Sequence, residues 1–201
     1  MAFSKFLDAK RQDCKALVAE LRKDFAYVSV LGVDIKTTVI RVDRNTSSIG
    51  PGFDTECGFV VKMHNGTVFF EYSLDDIAGS MTELAAQISD AFRLSAALTD
   101  LAVGKAHLAD EPLVQSFARP NDFENYTEAQ LLDFCKEQCE ALLSKSEYLL
   151  NAMVNLQQME VSKLFVSENR ELTQNYAWVN GILVAIYREN DKVVQAYESA
   201  N

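Results

Sequence analysis

Two stretches of the sequence, residues 25–72 and 149–197, alternate apolar and polar side chains with a period of two and are rich in β-branched residues. This pattern is typical of β-strands, whose successive side chains point to opposite faces of a sheet. Short turns separate the strands within each stretch, so neighbouring strands are expected to pair in antiparallel fashion. The sequence therefore predicts an α+β fold with mostly antiparallel sheets and flanking helices, and not a doubly wound sheet.

The first stretch is predicted to contain five strands and the second stretch another five. The last two strands of the first stretch flank His64-Asn65-Gly66, and Asn-Gly between apolar strands is a strong hairpin signal because both residues accept positive φ. His64 is therefore predicted to lie in a solvent-facing turn. The predicted strands are 27–31, 36–42, 46–49, 57–63 and 67–72, then 149–159, 162–167, 171–178, 181–187 and 192–197.

Three stretches have helical periodicity, residues 4–23, 80–100 and 128–145. Ser80 precedes the second helix with Glu83 three residues on, which resembles a capping box, and Thr127 is a suitable N-cap for the third. Residues 110–125 contain Pro112 and Pro120 and are predicted to form a loop. The loop divides the chain into two α+β subdomains, 1–110 and 111–201.

The two strand-rich regions resemble each other. Gly58 begins an apolar strand that is followed, after a turn, by a strand containing Tyr72, and Gly181 and Tyr197 occupy corresponding places in the second region. The longer spacing of the second copy lies in its turn. This similarity indicates an internal duplication, which predicts two related sheet layers with helices on one side.

Charge and targeting signals narrow the classes of function. The chain has 29 acidic and 19 basic residues, a formal net charge of −10, so we expect no nucleic-acid partner. The charged N-terminus does not resemble a secretory signal, and no run of apolar residues is long enough to span a membrane. Four cysteines without a disulfide spacing fit a reducing compartment, so the chain is predicted to be cytoplasmic and without a membrane partner.

No motif for catalysis, cofactor binding or metal binding is found. Neither His64 nor His107 has a nucleophile or zinc motif around it, and no glycine-rich phosphate loop occurs. Cys135 and Cys139 lie four residues apart, which would suit metal ligands, but core thiols are the favoured interpretation. The remaining candidates are expected to be structural: the acidic pairs Asp75-Asp76 and Asp110-Glu111 at surfaces, and Tyr176, Trp178 and Tyr187 in the core.

Several segments together resemble the TldD/PmbA family, whose members are also called modulators of DNA gyrase. In the first half the resemblance lies in 25–30, 38–45 and 57–66, and in the second half in 161–173, 181–187 and 195–199. It rests on pattern and spacing more than on invariant residues. The sequence departs from the family pattern at 56–58, at 169–171, which lacks the usual glycine, and at Ala196, where glycine is common.

The resemblance implies the N-terminal, non-catalytic region of a zinc metallopeptidase. In the family a histidine-glutamate metal motif follows the matched region, so no catalytic, cofactor or metal residue is carried onto this chain, and zinc is expected in a C-terminal domain absent from it. The resemblance further implies a peptide or unfolded-protein substrate, a share in the peptide-binding cleft, and a homo- or heterodimer. Two alternatives stay open: a stand-alone module that binds a peptide or protein without enzymatic activity, and a small enzyme with an unrecognised site.

Overall fold

The computed structural model describes residues 2–97, 110–119 and 126–200, and it has the α+β architecture that the sequence predicts. The elements in chain order are α1 (Lys5–Leu21), β1 (Tyr27–Asp43), β2 (Ser47–Pro51), β3 (Glu56–His64), β4 (Phe69–Leu74), α2 (Met81–Ala97), β5 (Leu113–Ala118), α3 (Glu128–Leu143), β6 (Leu149–Ser167), β7 (Arg170–Glu189) and β8 (Lys192–Ala200).

The eight strands form one sheet with the order β4-β3-β1-β6-β7-β5, in which β2 also pairs with β1 and β8 with β7. All pairs are antiparallel except β5 with β7. The expectation of two sheet layers is therefore wrong: the two halves of the chain lie side by side and join where β1 pairs with β6. The first half runs from α1 into four antiparallel strands, β1 to β4, and the second from α3 into three, β6 to β8. Gly58 in β3 and Gly181 in β7 each lie in a strand flanked by two antiparallel partners of its own half, which supports the duplication.

Three strands are longer than the sequence indicates. Residues 27–31 and 36–42, predicted as two strands, belong to the single strand β1, and the predicted breaks within β6 and β7 are likewise absent. The breaks disappear because neighbouring strands pair across them: β3 and β6 across the break in β1, β1 and β7 across that in β6, and β6 across that in β7. Opposite the predicted gap in β1, Val33 pairs with Gly58 of β3 and with Lys163 of β6.

The predicted loop at 110–125 contains a strand. Its residues 113–118 form β5, which runs parallel to the start of β7 from the pair Leu113 and Arg170 to the pair Ala118 and Asn175. Residues 120–125 and the end of the second predicted helix, 98–100, lie outside the described residues. The division of the chain into subdomains at 110–111 stays a prediction.

All three helices pack on the same face of the sheet. In β1, Val30 lies in the cluster beneath α1 and α2, and Ile40 lies in the cluster beneath α3; their even spacing puts them on one face. Local capping fixes the helix starts, because the Ser4 hydroxyl accepts from the Leu7 amide and Thr127 forms a capping box with Gln130. The opposite face of the sheet receives no helix from the described residues.

Candidate interaction surface

The sheet face opposite the helices, here called the helix-free face, carries rows of apolar side chains. The strand registers show which side chains share this face. Thr37 of β1 lies opposite Met159 of β6, which in turn lies opposite Trp178 of β7. Alternation along each strand then assigns the other members. Its apolar residues include Leu31, Val33, Ile35, Val39, Met153, Met159, Phe165, Tyr176, Trp178, Ile182, Val184 and Tyr197.

The loop between β2 and β3, residues 52–55, lies on this face. A Cβ added at Gly52 would be 2.4 Å from Thr37 Cγ2, and the Asp54 carboxylate accepts a hydrogen bond from Gln157 Nε2 at 3.0 Å. Phe53 at the loop tip is 98% exposed, while on β7 and β8 Trp178 is 41% and Tyr197 74% exposed. Exposed aromatic residues gathered on one apolar face are a feature of protein interaction sites.

A pocket of about 350 Å³ lies on the helix-free face near the end of β1. Met153, Ile182 and Val184 give it an apolar lining, and Arg41 brings a guanidinium. Arg41 is exposed and forms no hydrogen bond or ion pair with the described residues. Asn155 also lines the pocket, and its buried Oδ1 has no hydrogen-bond partner among the described residues. Asp43 lines the pocket as well, and its carboxylate accepts hydrogen bonds from Asn45 and Thr46. The pocket therefore combines apolar surface with one unused cation, one unused acceptor and one engaged carboxylate.

A second pocket, of about 440 Å³, lies between α1 and the turn joining β6 to β7. Its charges are already paired: Arg22 binds Glu168 at 2.6 Å, and Glu171 binds both Lys15 and Arg11. Hydrogen bonding by Lys15, then by Arg11, lowers the pKa of Glu171 despite its partial burial. These ion pairs hold α1 against the sheet, and they leave less free charge for a ligand than the pocket at Arg41 has.

His64 is buried, and the prediction of a solvent-facing side chain is wrong. It ends β3 with 4% exposure, its ring centroid lies 4.4 Å from that of Phe69, and its Nδ1 accepts from the Gly66 amide at 3.1 Å. The imidazole therefore folds back over the hairpin that the sequence predicts correctly. Its Nε2 has no hydrogen-bond partner among the described residues. His107 lies outside them.

The predicted core thiols are confirmed for Cys135 and Cys139, which are buried beneath α3. The Cys139 thiol donates to the Ala152 carbonyl at 3.4 Å, and burial raises the pKa of both thiols. Raised pKa values keep these groups protonated, whereas a metal ligand must be a thiolate. The other two cysteines differ, because Cys14 is buried and Cys57 is exposed.

The acidic pairs mainly make structural contacts. Asp76 binds Lys10 at 2.7 Å, Asp110 accepts from Ser167 and Asn169, and Glu111 binds Arg170 at 2.5 Å, while Asp75 is exposed. These contacts connect loops to α1 and to the sheet.

The three aromatic candidates do not form one cluster. Tyr176 and Trp178 share the helix-free face, whereas Tyr187 lies on the opposite face. Trp178, at 41% exposure, does not belong to the core in which it was expected.

The described residues do not fit a zinc ion. Among residues 2–97, 110–119 and 126–200 no group of three or more His, Cys, Asp or Glu side chains could hold a metal. Zinc sites use three or four such ligands.

No helix in the described part of the chain is long and apolar enough to cross a membrane.

The helix-free face was not identified from the sequence, although β7 carries a signal for it. Both faces of this strand carry apolar side chains: Tyr176, Trp178 and Ile182 lie on one face, and Val179 and Leu183 lie on the other. A strand that is apolar on both faces is expected to be covered on both sides. Arg41, Asn155 and Phe53 carry no comparable signal, because their importance follows from the fold around them.

Comparison with known proteins gives no sequence match: no protein-family model and no curated protein matches the chain. Solved structures do match. Two are described as "putative modulator of DNA gyrase". The one from Bacteroides thetaiotaomicron matches with TM-score 0.71 and 14% identity over 96% of this chain and 44% of its own. The one from Thermotoga maritima matches with TM-score 0.66 and 14% identity over 94% of this chain and 43% of its own. TldE from Thermococcus kodakarensis matches with TM-score 0.66 and 12% identity over 93% of this chain and 42% of its own.

The chain has the TldD/PmbA fold. The resemblance inferred from the sequence is thus confirmed at the level of the fold. The chain spans less than half the length of each of these three proteins.

Proposed function

We propose that this chain is the N-terminal, non-catalytic region of a TldD/PmbA-like metallopeptidase. The observation that carries the proposal is the fold likeness, which covers 93–96% of this chain but only 42–44% of the matched proteins. In this proposal the zinc and the hydrolysis of peptide bonds belong to a C-terminal domain outside the 201 residues. The protein is then a cytoplasmic hydrolase acting on peptides or unfolded proteins.

The contribution of these residues is to build a surface. The long pair β1 and β6 makes a continuous sheet, the helices cover one side of it, and the other side presents apolar rows with exposed aromatic side chains. Such a face suits the wall of a peptide-binding cleft, and the proposal leaves the surface of the homo- or heterodimer contact unassigned. The proposal assigns no catalytic residue, no metal ligand and no cofactor to the chain.

The test begins with the purified 201-residue chain, in which bound zinc and the hydrolysis of fluorescently labelled casein are measured. We expect well under one zinc per chain and no hydrolysis. The reading frame beyond Asn201 is then determined, and the complete product is measured in the same assays and by sedimentation. A complete product that holds zinc, hydrolyses casein and dimerises supports the proposal. Stoichiometric zinc together with hydrolysis in the 201-residue chain overturns it.

A second function is a stand-alone peptide- or protein-binding module without enzymatic activity. The helix-free face favours it, because an apolar face of this kind needs no further domain in order to bind a partner. A stop codon directly after Asn201 selects this function, whereas a frame that continues into a histidine-glutamate metal motif excludes it.

A further inference from the structure

We propose that the helix-free face is a docking surface for an extended, apolar segment of a partner polypeptide that carries carboxylates, with Arg41 as its ionic anchor. The inference rests on the geometry of this chain and holds whether or not the chain belongs to a peptidase. Three observations lead to it: the uncovered apolar rows, the pocket at Arg41, and the distribution of charge over the face.

The pocket at Arg41 determines the chemistry of the segment. A guanidinium offers paired N–H donors that match a carboxylate in bidentate geometry, and Arg41 uses none of them on the described residues. The Asn155 Oδ1 beside it can accept one N–H, which the backbone of an extended segment supplies. Met153, Ile182 and Val184 provide the apolar lining. The pocket therefore fits an acidic residue next to an apolar one.

The remaining charges of the face favour an acidic partner. Lys163, like Arg41, has no side-chain partner among the described residues, and registers place it eight positions along the β1–β6 pair from Arg41. Eight strand residues correspond to about 27 Å, the span of an extended segment of about nine residues. Three acids of the face are already engaged. Asp43, which lines the Arg41 pocket, accepts from the Asn45 and Thr46 amides and from the Thr46 hydroxyl; Asp54 accepts from Gln157, and Glu71 binds Lys62 at 3.1 Å.

The same charges disfavour a second copy of this chain as the occupant. An isologous contact would bring the same face, with the same unpaired Arg41 and Lys163, against itself. Like charges buried together without a partner weaken an interface. The exposed acid Glu56 begins β3 opposite Ile35, six residues along β1 from Arg41. A partner that supplies carboxylates in trans satisfies the cations that this face leaves unpaired.

The test uses two labelled nonapeptides of alternating leucine and serine that differ only at their ends, which are both glutamate in one and both lysine in the other. Fluorescence anisotropy measures their binding to the chain. We expect the glutamate peptide to bind at least about tenfold more tightly, the effect of one good charge-assisted contact. Arg41→Glu should abolish this preference, and Arg41→Glu combined with Lys163→Glu should reverse it.

Lys36→Glu is the matched control, because it makes the same charge change on the opposite face of β1, where Lys36 is also exposed. It should leave the preference unchanged. Circular dichroism checks that each variant is folded, and amide chemical shifts should change in residues 37–43, 153–159 and 178–184. The proposal is overturned by absent binding, by equal affinity for the two peptides, by an equal effect of Lys36→Glu, or by self-association that perturbs these same amides.

Discussion

Glu171 shows how a single side chain connects two elements. It begins β7 on the helix-covered face and binds Lys15 and Arg11 of α1, with 18% of its side chain exposed. These cations favour the ionised carboxylate and lower the pKa of Glu171 below its ordinary value of 4.5. A carboxylate with a lowered folded-state pKa stabilises the protein above the unfolded-state pKa. That stabilisation is lost as pH falls through the folded-state value.

Glu171→Gln is therefore expected to lower the free energy of unfolding by about 1 kcal/mol near neutral pH, since the neutral amide cannot pair with two cations. The difference from wild type should shrink as the pH falls below 4.5, where the native carboxylate also becomes neutral. Urea unfolding at several pH values measures it. Glu168→Gln is the control: among the described residues Glu168 binds Arg22 alone, and it is 47% exposed, so its loss should be smaller. A pH-independent loss would contradict the electrostatic explanation.

Burial separates the four thiols in their reactivity. Burial raises the pKa of Cys14 to about 12 and raises those of Cys135 and Cys139. Desolvation and the nearby Asp34 and Asp76 raise the pKa of Cys57 too, but Cys57 alone is exposed to a reagent. Only thiolates react with disulfide reagents. The folded chain should therefore show one reactive thiol with Ellman's reagent near pH 8, and all four in urea. Cys57→Ser should leave no rapidly reacting thiol in the folded chain. A rapid reaction at Cys135 or Cys139 would contradict their placement in the core.

At the scale of elements, the sequence predicts whether a segment is a helix or a strand better than it predicts where that element ends. The period of two around Val28 and Val61, the turn at Asn65-Gly66 and the cap at Thr127 all correspond to observed elements, because each depends on a few adjacent residues. Strand ends depend instead on partners distant in sequence. The break expected before residue 36 vanishes because β3 and β6 pair across it. For the same reason β5 could not be recognised, since its only described partner is the start of β7.

The site is less predictable than the fold. The side chain of His64 was expected in solvent because turn residues are usually exposed, but a contact with the Phe69 ring buries it. Arg41 belongs to a strand that the sequence predicts, yet its importance depends on β7, which lies across β6 and brings Ile182 and Val184 to the same pocket. Local patterns contain no information on such neighbours.

Two glycines of the same half of the sheet provide a matched test of packing. A Cβ on Gly32 in β1 would lie 2.8 Å from both Leu7 Cδ2 and the Phe59 ring, and both of these side chains are buried. Gly32→Ala should cost about 1–3 kcal/mol, because α1 or the Phe59 ring must move. Gly50→Ala in β2 meets nothing within 4 Å and should change stability by less than about 0.5 kcal/mol. Equal effects in thermal unfolding would contradict the close approach of α1 at Gly32.

The whole molecule joins two similar halves through one continuous sheet. The cluster beneath α1 and α2 takes Leu164 and Val166 from β6, and the cluster beneath α3 takes Ile40 and Val42 from β1. Each half therefore completes its core with side chains from the other. Unfolding either half would therefore also expose apolar side chains of the other half, even if the two halves arose by duplication.

This sharing predicts that the chain unfolds as one cooperative unit. Trp178, the only tryptophan, reports on the second half, and a fluorophore attached to Cys57 reports on the first. Their urea transitions should coincide, and Ile40→Ala, which removes a side chain of β1 from the α3 cluster, should shift both midpoints equally. The loss should be about 2–4 kcal/mol, as for other large-to-small core substitutions. Separate transitions, or a shift in the Trp178 signal alone, would show that the halves fold independently and that the β1–β6 pair merely holds two stable modules together.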